Sequence, residues 1–149
     1  MARTSEFSAL LRLFNAERVD YVIVGGYALA FHGSPRTTGD MDLLVRVTKD
    51  NAENVLRALS VFGFGSLNLS ASDFTKPDSV VQLGYPPMRI DILTSLDGVT
   101  AEEVFAMKEA GEFDGVPTHF IGRSQLIANK RAVGRKRDLA DLEDLGEEP

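Results

Sequence analysis

Three aspartates of this 149-residue chain have the type and spacing to hold divalent cations. Asp40 and Asp42 flank Met41 at the start of a run through Val47 that is apolar enough to be a strand. Side chains alternate across a strand, so both carboxylates project from one face while Met41 points to the other. Carboxylates held side by side repel each other and are costly to desolvate unless a cation sits between them. Hard oxygen ligands of this kind suit magnesium or manganese. Asp91 lies in a second apolar run, Met88 to Leu93. If Ile90 and Ile92 face a core, Asp91 faces the opposite way, alongside Asp40 and Asp42 once the strands pair. Asp-x-Asp alone is equally the pattern of two solvated carboxylates at a strand end, so the surrounding sequence has to decide.

Two other features point the same way. Gly25-Gly26 follows the β-rich run Tyr21 to Val24 and opens a short helix, where exposed backbone N–H groups can meet phosphate. Taken singly, the pair is also an ordinary tight turn. The basic cluster Lys130, Arg131, Arg135, Lys136 and Arg137 supplies the charge a triphosphate needs, or else forms a solvated helix face. His32 and His119 read as helix-end and hairpin residues. Phe31 and Tyr85 read as packing residues.

The elements that must position these groups follow from periodicity. Phe7, Leu10, Leu11 and Phe14 recur at helical spacing, with Thr4 or Ser5 as the cap. Strands are predicted at Tyr21 to Val24, Met41 to Val47, Val80 to Leu83 and Met88 to Leu93, the last two joined by a turn at Gly84 to Pro87. Short helices are predicted at Tyr27 to His32 and from a Thr48 cap to Leu59, stopped by Gly63 and Gly65. Leu67 to Pro77 has no clear period and reads as loop with one short strand. Thr100 caps a further helix, Asp114-Gly115 marks a hairpin, and helices follow from Ser124 to about Ala132 and from Asp138 to Leu145, broken at Gly134. The expected fold is a mixed α+β domain, a small mixed sheet flanked by helices with a helical C-terminal tail. One domain spans 1–149, with a core at about 1–97 and the hairpin and tail at about 98–149.

Composition is that of a globular domain: 44% hydrophobic and 26% charged residues, enough for one real core. No apolar run approaches bilayer length, so no membrane partner is expected, and with no cysteine a cytoplasmic setting is the expectation. Disulfide, thiolate and sulfur-zinc chemistry are excluded. The net charge of −6 argues against coating nucleic acid. Yet residues 123–137 carry six bases and no acid, and residues 138–148 six acids and no base. A local basic segment suits a phosphate-bearing ligand better than a long polyanion.

Gly25-Gly26, a gap of thirteen residues, Asp40-Met41-Asp42 and the later Asp91 resemble the signature of the DNA polymerase beta superfamily of nucleotidyltransferases. The likeness is greatest to minimal bacterial and archaeal members, including abortive-infection toxin-type nucleotidyltransferases. It extends through Arg36 to Val45 and through the tail, Leu126 to Arg131 and Gly134 to Leu142. Such a resemblance implies that Asp40, Asp42 and Asp91 bind two Mg2+ or Mn2+ ions. It also implies that Gly25, Gly26, Arg36, Thr38 and Lys130 hold a nucleoside triphosphate, whose nucleoside monophosphate passes to a hydroxyl acceptor with release of pyrophosphate. The acceptor is left open among a protein, a tRNA end and a small molecule, and an antitoxin partner belongs to the toxin-type reading. Where many members carry Gly-Ser, this chain has Gly26, so phosphate contacts there fall to backbone amides. The alternative of another class is an inactive nucleotide-binding or regulatory module with the same fold. A metal phosphodiesterase is set aside because only two histidines are present.

Overall fold

The computed structural model describes residues 2–34, 39–85 and 87–148. Helix α1 (Ala2–Ala16) begins upstream of the expected Thr4 or Ser5 cap and buries Phe7, Leu10, Leu11 and Phe14. Strand β1 (Tyr21–Val24) is buried throughout and runs straight into α2 (Gly25–Phe31). Strand β2 (Asp40–Val45) returns antiparallel to β1. Thr48 caps α3 (Lys49–Leu59), its hydroxyl accepting from the Asn51 N–H at 3.1 Å. The strand expected between residues 67 and 77 does not form. Two 3-10 turns, Gly65–Leu67 and Ala71–Phe74, take that stretch. Ser70 and Asp73 form a reciprocal capping box, which satisfies the backbone locally and lets Phe74 drop into the core.

Strand β3 (Val80–Tyr85) is two residues longer than expected and pairs antiparallel with β4 (Met88–Leu93). Helix α4 (Ala101–Ala106) precedes the hairpin β5 (Glu109–Phe113) and β6 (Val116–Phe120). Asp114 and Gly115 both have positive φ, which matches the twist of a two-residue hairpin turn. Helix α5 (Arg123–Val133) starts one residue before Ser124, with Gly122 as its cap. Gly134 ends it in the left-handed region, and α6 (Lys136–Asp144) begins two residues earlier than Asp138.

The six strands form one mixed sheet in the order β3-β4-β2-β1-β6-β5. Neighbours β2 and β4 are parallel, as are β1 and β6; the other pairs are antiparallel. The hairpin near the C-terminus thus joins the sheet, with Phe120 opposite Ile23. Met41, Leu43, Ile90 and Ile92 share one fully buried face, and α1 packs there against α3 and β4. Helix α2 contacts β1 and β2 and is fixed by edge-on packing of Tyr27 against Phe7 and Phe113. The architecture is the expected mixed α+β one. No described helix is long and apolar enough to cross a membrane.

The β1–β2 pair, which carries the candidate site, is clamped at its far end by buried Asn51. Its Oδ1 accepts from the Asp20 N–H at 2.7 Å, and its Nδ2 donates to the carbonyls of Asp20 and Arg46 at 3.0 and 2.9 Å. Truncation would leave the Asp20 N–H without its partner and take one of two hydrogen bonds from each carbonyl. Asn51→Ala is therefore expected to lower unfolding free energy by about 1–3 kcal/mol in urea titration. Exposed Glu53→Ala on the same helix should change it by less than about 0.5 kcal/mol.

Candidate active site

The parallel register of β2 and β4 sets Asp40 against Arg89 and Asp42 against Asp91. Since residues two apart share a face, all four side chains lie on one side of the sheet, opposite the buried Met41, Ile90 and Ile92. Gly25 meets Asp42 so closely that a Cβ there would stand 2.1 Å from Asp42 Oδ2. Gly25 also has φ of +70°, so glycine is required twice over, by backbone and by the neighbouring carboxylate.

Burial and crowding together set the electrostatics. Burial, then the charge of Asp91 and a hydrogen bond shared with it, then Asp40, push the Asp42 pKa up to about 7. Asp91 is also raised, by burial first, with the Arg89 charge and hydrogen bonds from Asp42 and Gln82 acting against the rise. A proton held by Asp42 and offered to Asp91 satisfies both sets of effects. Arg89 provides the local positive charge, its Nη2 donating to Asp40 Oδ2 at 2.9 Å and its Nε 3.7 Å from Asp91 Oδ1. That Nε and that Oδ1 are buried with no hydrogen-bond partner among the described residues. Among the described residues, no three carboxylate or imidazole side chains are gathered tightly enough to chelate an ion as they stand. The donor set nevertheless fits a hard divalent cation: half-buried carboxylates, one held protonated by burial and by its neighbours' charge and one with an unused oxygen.

A cavity of about 370 Å³ opens over this face, lined by Gly25, Gly26, Asp40 and Asp42 on one part and by α5 and α6 on another. Lys130, expected to face phosphate, lines the cavity but is not a free cation. It is buried, and its Nζ donates to Asp141 Oδ2 at 2.8 Å and Asp138 Oδ1 at 3.4 Å. Both acids come from α6, one and two turns beyond the helix break, a pairing that helical spacing within α5 could not reveal. Arg135 forms a two-pronged pair with Asp138, at 2.7 and 3.2 Å. Burial alone would raise the Asp138 pKa, but its bonds to Arg135 and the charges of Lys130 and Arg135 hold it below the ordinary carboxylate range. Arg131 binds the Glu148 carbonyl and so faces the C-terminus rather than the cavity. Arg36 and Thr38 lie outside the described residues.

Sequence reading missed several groups here. Arg89 was legible, two residues before Asp91 and therefore on its face. Asp78, Ser95, Asp97 and Asn129 also line the cavity but come from turns and a helix whose approach no local pattern announces. The histidines are elsewhere: His32 Nε2 donates to the Ile121 carbonyl at 2.7 Å, and His119 lies on β6. Phe31 stacks on Phe120, while Tyr85 is largely exposed rather than packed.

No family model matches the sequence, and no curated protein matches it. Solved structures do. One is described as a nucleotidyltransferase, TM1012, of Thermotoga maritima, with 16% identity, TM-score 0.62, and coverage of 90% of this chain and 86% of that one. A second is ANT(2'')-Ia in complex with adenylyl-2''-tobramycin, with 12% identity, TM-score 0.64, and coverage of 97% and 88%. A third is an antigenic nucleotidyltransferase-like protein of Paracoccidioides brasiliensis, with 17% identity, TM-score 0.56, and coverage of 95% and 72%. The fold is nucleotidyltransferase-like.

Two outcomes follow from the geometry. Gly25→Ala should cost roughly 1–3 kcal/mol more than Gly33→Ala. Both positions have positive φ, but no described residue comes within 4 Å of a methyl at Gly33, whereas one at Gly25 meets Asp42. Equal costs in chemical denaturation would show that the Asp42 contact is unimportant. The second concerns pH. The unfolded chain gives up the Asp42 proton near 3.8 and the folded protein only near 7, so this group destabilises the metal-free protein increasingly as pH rises between those values. In EDTA, Asp42→Asn should be more stable than wild type at pH 8 by on the order of 2 kcal/mol, the gap closing toward pH 4. A gap that does not depend on pH would contradict carboxylate crowding as its cause.

Proposed function

We propose that this chain is a metal-dependent nucleotidyltransferase, moving a nucleoside monophosphate from a nucleoside triphosphate to a hydroxyl acceptor with release of pyrophosphate. One observation above all supports the reading: the β2–β4 register that sets Asp91 across from Asp42 on the face carrying Asp40, beside Gly25. Asp40, Asp42 and Asp91 would hold two magnesium or manganese ions, whose charge would stabilise the entering and leaving oxygens of an in-line displacement.

The protein groups account for the rest of the reaction. The acceptor oxygen attacks the α-phosphorus, Asp91 receives the acceptor's proton, and the bond to the bridging oxygen of the β-phosphate breaks. The proton shared by Asp42 and Asp91 must leave before Asp91 can act as base. Gly25 and Gly26, lacking side chains, let the backbone approach the β- and γ-phosphates, a role that Arg36 and Thr38 share in this proposal. ANT(2'')-Ia, in its complex with adenylyl-2''-tobramycin, is a protein of this fold seen with an adenylylated small molecule. For this chain the acceptor classes remain protein, tRNA end and small molecule.

Incubating the protein with each α-labelled nucleoside triphosphate, magnesium or manganese, and fractionated lysate separates them. Label is expected in one of the three fractions, with pyrophosphate released in step, and Asp40→Ala or Asp91→Ala should reduce both at least roughly 100-fold. Growth arrest on expression that vanishes with Asp40→Ala would support a toxin role and an antitoxin partner. A folded protein that binds nucleotide but releases no pyrophosphate with any fraction would be the inactive regulatory module instead.

A further inference from the structure

A nucleoside triphosphate brings about four negative charges to a cavity already walled by Asp40, Asp42 and Asp138, so some cation must meet its phosphates. Among the described residues, three basic ones line that cavity: Lys130, Arg135 and Arg137. Two of them are spent. Lys130 and Arg135, with Asp138 and Asp141, form a closed group of two positive and two negative charges, with contacts of 2.7 to 3.4 Å. Asp138 and Asp141 are almost wholly buried, so drawing either cation toward a ligand would leave an uncompensated carboxylate inside the protein.

Arg137 differs on each count. It is exposed, lines the cavity, and makes no hydrogen bond or ion pair among the described residues. It also stands on a fixed base. The left-handed turn at Gly134 separates α5 from α6, Asp138 caps the Arg135 N–H at 3.1 Å, and the buried lysine ties Asp138 and Asp141 of α6 back to α5. The first turn of α6 is thereby held in place while the guanidinium it carries is left unneutralised. A planar fork of donors so presented suits phosphate oxygens.

We propose that Arg137 is the cation of the C-terminal tail that binds the triphosphate, and that Lys130 acts only within the neutral group that fixes α6. The proposal rests on the nucleotidyltransferase reading and names its phosphate-binding residue. Calorimetric titration with magnesium and each of ATP, GTP, CTP and UTP, then with tripolyphosphate, tests it on wild type, Arg137→Ala and Arg137→Lys. Arg137→Ala should weaken both the preferred nucleotide and tripolyphosphate by about tenfold or more, with thermal stability unchanged. Arg137→Lys should recover part of the loss. Equal binding by wild type and Arg137→Ala overturns the proposal while leaving the nucleotidyltransferase reading intact. So does a Lys130→Met variant of unchanged stability that alone loses tripolyphosphate. If wild type binds neither a nucleotide nor tripolyphosphate, the functional reading fails and the assignment of Arg137 fails with it.

Discussion

Asp42 and Asp91 face each other across two parallel strands, with Asp40 on the same face and one guanidinium between them. Like charges at this separation in a partly desolvated site strongly disfavour full ionisation. Much of the neighbouring structure answers that constraint. Arg89 supplies one positive charge, Asp42 retains a proton into the neutral range, and Gln82 reaches Asp91 from β3. The chain begins α2 with a residue that has no Cβ, because the Asp42 carboxylate fills the space a Cβ would need. An apolar pair at these positions would avoid that cost, and the cations of the proposed reaction would offset the charge the carboxylates carry.

The sheet makes that arrangement rigid. Met41 and Ile90 are register partners, as are Leu43 and Ile92, and all four are buried on the face where α1 packs. A shift of one residue in the pairing would turn these four toward solvent and the acids into the core. Burial of the apolar face therefore fixes the carboxylate spacing. Asn51 closes the same β1–β2 pair from its other end by satisfying three backbone groups at once.

On the far wall of the cavity, the basic tail is organised mainly by its own acids. Lys130 and Arg135 are neutralised by Asp138 and Asp141, and Arg131 and Arg123 fasten the last residues of the chain. A segment that is strongly basic in sequence thus offers the cavity far less free charge than its composition suggests. What remains is directional, because a helix end tied down by buried ion pairs presents the next side chain from a fixed base.

The amino-acid order alone determined the two site strands, the Gly25-Gly26 break, the Thr48 and Thr100 caps and the Asp114-Gly115 hairpin. Each depends on neighbours only a few residues apart, where alternation, capping and turn chemistry act. It also determined that Asp40 and Asp42 share a face, since that follows from strand geometry. Only the tertiary structure decided that Asp91 stands opposite Asp42, because pairing between segments some fifty residues apart is set by the burial of Met41, Ile90 and Ile92 rather than by local pattern. It alone brought β6 beside β1 and folded residues 65–74 into 3-10 turns. It also decided which cations are free: an ion pair depends on where two helices meet, so Lys130 reads in sequence as an open charge and is closed in space by acids on α6.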